Sequence, residues 1–272
     1  MNSITKSISE KIDELRNKVP LVHNITNYVT VNDVANALLA IGASPIMADD
    51  IEETADITAI SSALVINIGT LNKRTIASMI ASGKKANELG IPVIFDPVGA
   101  GASKLRNDAT KEILNQVKVS VLRGNLSEVS FVAGLKVSTK GVDTSEEDEK
   151  NDGAAVAGSV AESLGCAVAI TGAVDIISDG KRVVKISNGN KMLKKVTGTG
   201  CMTTALIGAF AGAEKDYFTA AASGVASMGI AGDIAFEKAG QMGTGSYHIA
   251  IIDALSTLDS KIVAERAKLH EE

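Results

Sequence analysis

The amino-acid sequence predicts an α/β fold: a mainly parallel central sheet with helices on both faces. Three observations carry that expectation. Short apolar runs alternate with longer helical patterns over most of the 272 residues. Several of those runs are apolar without clean alternation, as strands covered on both faces are. Hydrophobic residues make up 45% of the chain, enough for a large core, and neither an internal repeat nor a linker divides it. A single domain over 1–272 is therefore expected.

The elements follow in order. The opening stretch MNSITKSISEKIDELRNKVP sets Ile4, Ile8, Ile12 and Leu15 on one helical stripe and lacks the apolar centre of a signal peptide, so it reads as a docking helix. The strand PLVHNI (20–25) precedes a helix from near Thr30, with Val31, Val34, Leu38 and Ile41 on one face. Further strands are SPIMA (44–48), ALVINIG (63–69), IPVIFDPV (91–98), VSVLRGN (119–125) and AVAITG (167–172). DIIS and RVVKIS flank the turn DGK (179–181) and read as a hairpin. Helices are expected over 73–89, 106–117, 126–133, 150–164, 201–213, 217–238 and 246–266. The polar stretch STKGVDTSEEDEKND (138–152) reads as an exposed connection and a helix start. Small residues dominate 199–236, with Glu214, Lys215 and Asp216 between them, a pattern of closely packed interior helices and not of a membrane span.

Composition excludes several function classes. A net charge of −5 without a basic face or tail argues against nucleic acid. Aromatic residues at 3% and the lack of Trp leave few platforms for stacking bases. The two cysteines, Cys166 and Cys201, cannot form a disulfide framework, and a reducing cytoplasm is the natural setting.

Ligands of open parallel sheets collect beyond the carboxyl ends of the strands. The residues there are Asn24, Asn27, Asp49, Asp50, Gly69, Asp96, Arg123, Asn125, Glu128, Thr171 and Gly172. The stretch KVTGTGCMTTALIGAFAGA (195–213) adds a glycine turn opening into a helix. Gly198 and Gly200 let a ligand approach the main chain, and the helix start offers unpaired N–H groups to an anion such as phosphate. A plain tight turn has the same sequence. Cys201 stands at the mouth of that helix, where a thiol pKa falls and part of the population is thiolate near neutral pH. Asn125 and Glu128 have the spacing of a capping box. His23, alone at the end of a short strand, reads as a hydrogen-bonded structural residue, and Cys166 as a small buried one.

These motifs, in this order, resemble hydroxyethylthiazole kinases of the ribokinase-like superfamily. The carriers are PLVHNITNYVTVNDVAN (20–36), GASPIMADD (42–50), VINIGTL (65–71), VIFDPVGAGAS (93–103), LRGNLSEV (122–129), AITG (169–172) and VTGTGCMTTALIGAF (196–210). The resemblance implies ATP-dependent phosphorylation of the hydroxyl of 4-methyl-5-(2-hydroxyethyl)thiazole in thiamine synthesis or salvage. It also implies a homotrimer whose acceptor pockets lie between subunits. It puts Gly198, Gly200 and Cys201 at the moving phosphate, with cysteine where the wider superfamily has an aspartate base. A thiol is the poorer base there, so Cys201 is expected to position the hydroxyl and to contribute only modestly as base. Arg123, Thr171 and Thr199 are implied on ATP, and Asp96, Asn125 and Glu128 on Mg²⁺, partly through water. Met47, Gly198 and, less directly, Asn27 are implied at the thiazole. The alternatives are a related kinase acting on a hydroxymethylpyrimidine and a sensor that binds without turnover.

Overall fold

The computed structural model describes residues 3–135 and 152–272. Most of the expected 138–152 connection lies outside the described residues. The strands are β1 (Leu21–Ile25), β2 (Ser44–Ile46), β3 (Ala63–Asn67), β4 (Val93–Asp96), β5 (Val121–Gly124), β6 (Ala167–Ile170), β7 (Asp175–Ser178), β8 (Val183–Ile186) and β9 (Leu269–Glu271). The helices are α1 (Ser3–Lys18), α2 (Val31–Ile41), α3 (Thr54–Ala59), α4 (Lys73–Leu89), α5 (Lys104–Gln116), α6 (Leu126–Val132), α7 (Gly153–Leu164), α8 (Thr199–Ala213), α9 (Tyr217–Ala239), α10 (Thr244–Thr257) and α11 (Ser260–Arg266).

The strands form one nine-stranded sheet in the order β2-β1-β3-β4-β5-β6-β7-β8-β9. The pairs from β2 to β6 are parallel, and those from β6 to β9 antiparallel. Alternation along each strand divides the core in two. Val22, Val65, Ile94 and Val121 face α1, α2, α8, α9 and α10. Leu64, Ile66, Phe95 and Leu122 face α4, α5, α6 and α7. Helix α9 is long and apolar enough to cross a membrane, but 94% of its apolar window is buried inside the protein.

Sequence patterning locates most elements to within a few residues. The expected helix 246–266 is two helices, because the chain turns at Leu258 and the Asp259 side chain caps the first turn of α11. Helix α3 and strand β9 were not expected; six and three residues are too short to show a period. The expected strand at 44–48 ends at Ile46, where pairing with β1 stops.

Candidate active site

Three neighbouring strands deliver their last side chains to one place. Asn67 ends β3 and pairs in register with Asp96, which ends β4. Arg123 on β5 follows Leu122, the partner of Phe95. All three project from the α8 face of the sheet, under the first turn of that helix. Asp96 is fully buried. Its Oδ2 accepts from Thr204 Oγ1 at 2.6 Å, Asn67 Nδ2 at 3.1 Å and Arg123 Nη1 at 3.4 Å. Its Oδ1 is buried with no partner among the described residues, and so is Nε of Arg123. Burial pushes the Asp96 carboxyl pKa up, against the pull of Arg123, Thr204 and Asn67.

The glycine turn stands above this group. Gly198 has φ +87° and is the N-cap of α8, which therefore has no side-chain cap on its first turn. A Cβ on Gly198 would lie 2.7 Å from Thr30 Cγ2, so the turn sits hard against the start of α2. A Cβ on Gly200 would lie 2.8 Å from Arg123 Nη1: the guanidinium occupies the space that a side chain would take. Arg123 Nη2 also donates to Thr171 Oγ1. The two ATP candidates Arg123 and Thr171 are thus in contact. Thr199, the third, spends its hydroxyl on the carbonyl of Leu193 at 3.3 Å, which leaves its backbone amide as the group it can offer a ligand.

Cys201 receives hydrogen bonds at Sγ from Asn27 Nδ2 at 3.2 Å and Asn67 Nδ2 at 3.3 Å. Asn27 Nδ2 also donates to Asn67 Oδ1 at 3.0 Å, and Asn27 Oδ1 accepts from Thr30. The thiolate expectation is corrected here. Burial first, and the nearby Asp96 charge second, raise the Cys201 pKa above its ordinary value, outweighing the hydrogen bonds of Thr30 and Asn27 and the charge of Arg123. The direction of that shift favours the thiol over the thiolate. Cys166 is buried with its pKa pushed up to about 12, consistent with a packing residue.

Asn125 and Glu128 do form a capping box: Asn125 Oδ1 accepts from Glu128 N at 2.8 Å, and Glu128 Oε2 from Asn125 N at 2.7 Å. Glu128 Oε1 accepts from Gly99 N at 2.7 Å, tying the loop after β4 to α6. Burial, with Asp96 nearby, raises the Glu128 pKa to about 7. No group of three or more His, Cys, Asp or Glu side chains poised to hold a metal occurs among the described residues. Asp96 and Glu128 suit a cation that takes its other ligands from phosphate and water, as Mg²⁺ does. The bare Oδ1 of Asp96 is the position open to it.

Met47 lies apart from this cluster. It lines a cleft of about 330 Å³ with Asn24, Tyr28, Val31, Ala48 and Asn72 among others. Asn27 connects the two places, since its neighbours Thr26 and Tyr28 line the cleft while its own amide reaches Cys201. Sequence reading missed Asn67 and Thr204. Asn67 was hidden because the apolar run ALVINIG was carried to residue 69; the lone polar residue within it was the signal. Thr204 stands one helical turn after Gly200, which places its hydroxyl on the same face.

The model of the hydroxyethylthiazole kinase family matches residues 12–261. The chain is 69% identical to a hydroxyethylthiazole kinase of Ruminiclostridium cellulolyticum, over all of both chains. It is 67% identical to that of Clostridium beijerinckii, over 99% of each. A solved hydroxyethylthiazole kinase structure from Pyrococcus horikoshii superposes with TM-score 0.89 at 41% identity, covering 97% of this chain and 98% of that one. An ADP complex of Bacillus subtilis pyridoxal kinase has TM-score 0.58 at 16% identity, covering 78% of this chain and 90% of that one, a likeness of fold alone. Matched from end to end by such relatives, this chain belongs to the hydroxyethylthiazole kinase family.

Proposed function

We propose that this kinase moves the γ-phosphoryl group of ATP onto the primary hydroxyl of 4-methyl-5-(2-hydroxyethyl)thiazole, in thiamine salvage, at the cluster under α8. The observation that carries the reading is the uncapped first turn of α8 directly above Asp96 and Arg123. Phosphoryl transfer asks a protein for positioning and charge neutralisation more than for covalent chemistry. The amides of Thr199, Gly200 and Cys201 supply fixed donors for the equatorial oxygens of the moving group. Arg123, held by Thr171, adds a planar cation that fits two phosphate oxygens. Asp96 and Glu128 would hold Mg²⁺, with Asn125 reached through water, and the ion would supply charge neutralisation for the phosphates. The hydroxyl oxygen attacks the γ-phosphorus as the bond to ADP breaks, and its proton passes late to an oxygen of the transferred phosphoryl group. Cys201, protonated and tethered by two asparagine amides, orients the hydroxyl.

The thiazole lies in the Met47 cleft, with its hydroxyethyl arm directed past Asn27 to Cys201 and Gly198. That cleft is open, and Tyr28 on its wall is 79% exposed. Val29, next to Tyr28 in the chain, and Ile249 on α10 are also exposed apolar residues. Such surface suits closure by another subunit, and a homotrimer with shared acceptor pockets is the proposed assembly. Both cysteines are unpaired, in keeping with a reducing cytoplasm.

The test is ADP release by purified protein with Mg-ATP and each alcohol. Turnover with hydroxyethylthiazole is expected. Turnover with a hydroxymethylpyrimidine alone, or thiazole binding with no ADP released, would reject the reading. Sedimentation of the wild type and of Tyr28→Asp tests the assembly: a trimer that falls to monomers in the variant is expected.

A further inference from the structure

His23 is fully buried in the middle of β1, and both ring nitrogens are engaged. Its Nε2 lies 2.7 Å from the carbonyl of Ala48, and its Nδ1 lies 2.9 Å from Thr58 Oγ1 on α3. A carbonyl only accepts, so Nε2 carries the proton. The last ladder pair between β1 and β2 is His23 with Ile46. Beyond it the chain leaves the sheet, and Met47, Ala48 and Asp49 form one wall of the cleft. The imidazole therefore continues the tether after the ladder stops. Among the described residues Ala48 O receives one other side chain, Thr54 Oγ1 at 3.3 Å, a longer bond. Asp49 is held by Arg74, but that pair is half exposed and solvent-screened.

We infer that His23 is a positioning residue for the acceptor cleft, setting the place of Met47 through its bond to the Ala48 carbonyl. The inference rests on the reading of that cleft as the thiazole site. His23→Asn puts its amide near the Nδ1 position and loses the Ala48 bond, whereas His23→Gln places a donor near Nε2. In His23→Asn the thiazole KM is expected to rise roughly five- to tenfold, about the worth of one buried hydrogen bond, with the ATP KM within about twofold. His23→Gln should restore most of the difference. If His23→Asn is insoluble, the same split is read in Thr58→Val, which frees the ring to turn. Met47→Ala separates the two readings. An unchanged thiazole KM in Met47→Ala overturns the cleft assignment and the inference with it. A raised KM there, with no thiazole-specific change in the His23 and Thr58 variants, overturns the inference alone. Equal rises of both KM values in His23→Asn, or no rescue by Gln, also overturn it, because a merely structural histidine would behave that way.

Discussion

Asp96 crowds three donors onto one oxygen and leaves the other bare, an uneven arrangement for a buried carboxylate. Thr204 makes the shortest of those bonds, at 2.6 Å. Thr204→Val should therefore cost about 1–3 kcal/mol in urea unfolding and lower kcat, while Thr204→Ser retains both. Cys201 makes a different prediction. If it serves to orient the hydroxyl, Cys201→Ala should reduce kcat by about tenfold and not abolish it. Cys201→Asp, which restores a carboxylate, should equal or exceed the wild type in steady-state assays. Total loss in the alanine variant contradicts the positioning role. Which residues form this cluster was legible in part. Asp96, Arg123, Thr171 and Cys201 stand at strand or helix ends, where the rule for parallel sheets directs attention. The thiol's protonation was not legible, because it depends on burial and on Asp96, which lies 105 positions away in the chain.

At the scale of elements, the site depends on how closely α8 can approach its neighbours. Gly208 of α8 faces Val65 and Val22, and Gly224 of α9 faces α8. A Cβ on Gly224 would stand 2.6 Å from the backbone nitrogen of Ile207, where no flexible side chain can swing aside. Gly224→Ala must push the two helices apart and should cost about 1–3 kcal/mol by chemical denaturation. Since α8 carries the phosphate turn, an increased ATP KM should accompany that loss. Gly200→Ala is the contrasting case. Its Cβ meets the end of Arg123, which can move, so stability should change little while the ATP KM rises several-fold as the guanidinium is displaced. The run of small residues over 199–236 announced close packing, and α8 and α9 bear that out. The partner of each glycine was not readable, because a helix hydrophobic on all sides has no phase to tell one face from another. Short elements escaped for the complementary reason: α3 and β9 have too few residues to repeat a period, yet α3 holds the Thr58 contact to His23.

For the whole molecule, the parallel layout was legible from strand–helix alternation, and the antiparallel end from its hairpin. What alternation does not reveal is the electrostatic cost of the join between the two. Asp175 opens β7, where the sheet reverses, and its Oδ1 accepts from Gly172 N at 2.9 Å. Burial raises its pKa from 3.8 to about 7, with that bond and Arg123 pulling it down. Between those values the folded chain holds a proton that the unfolded chain has released. Stability therefore falls as pH rises through the window, and the advantage of the neutral carboxyl is gone above about 7. His23 works in the opposite sense. Burial lowers its pKa, so folding is disfavoured once the unfolded histidine protonates at low pH. The comparison that isolates Asp175 is thus wild type against Asp175→Asn, which keeps the acceptor for Gly172 and loses the titration. Urea unfolding of the ligand-free proteins should show the stability of the variant relative to wild type rising by about 1–2 kcal/mol from pH 5 to pH 8, a discounted figure because Asp175 is partly exposed. A difference that does not change with pH would mean that Asp175 is ionised throughout, held so by Arg123. In that case the guanidinium is shared between two carboxylates, and Asp175→Asn should tighten ATP binding at pH 8 by freeing it.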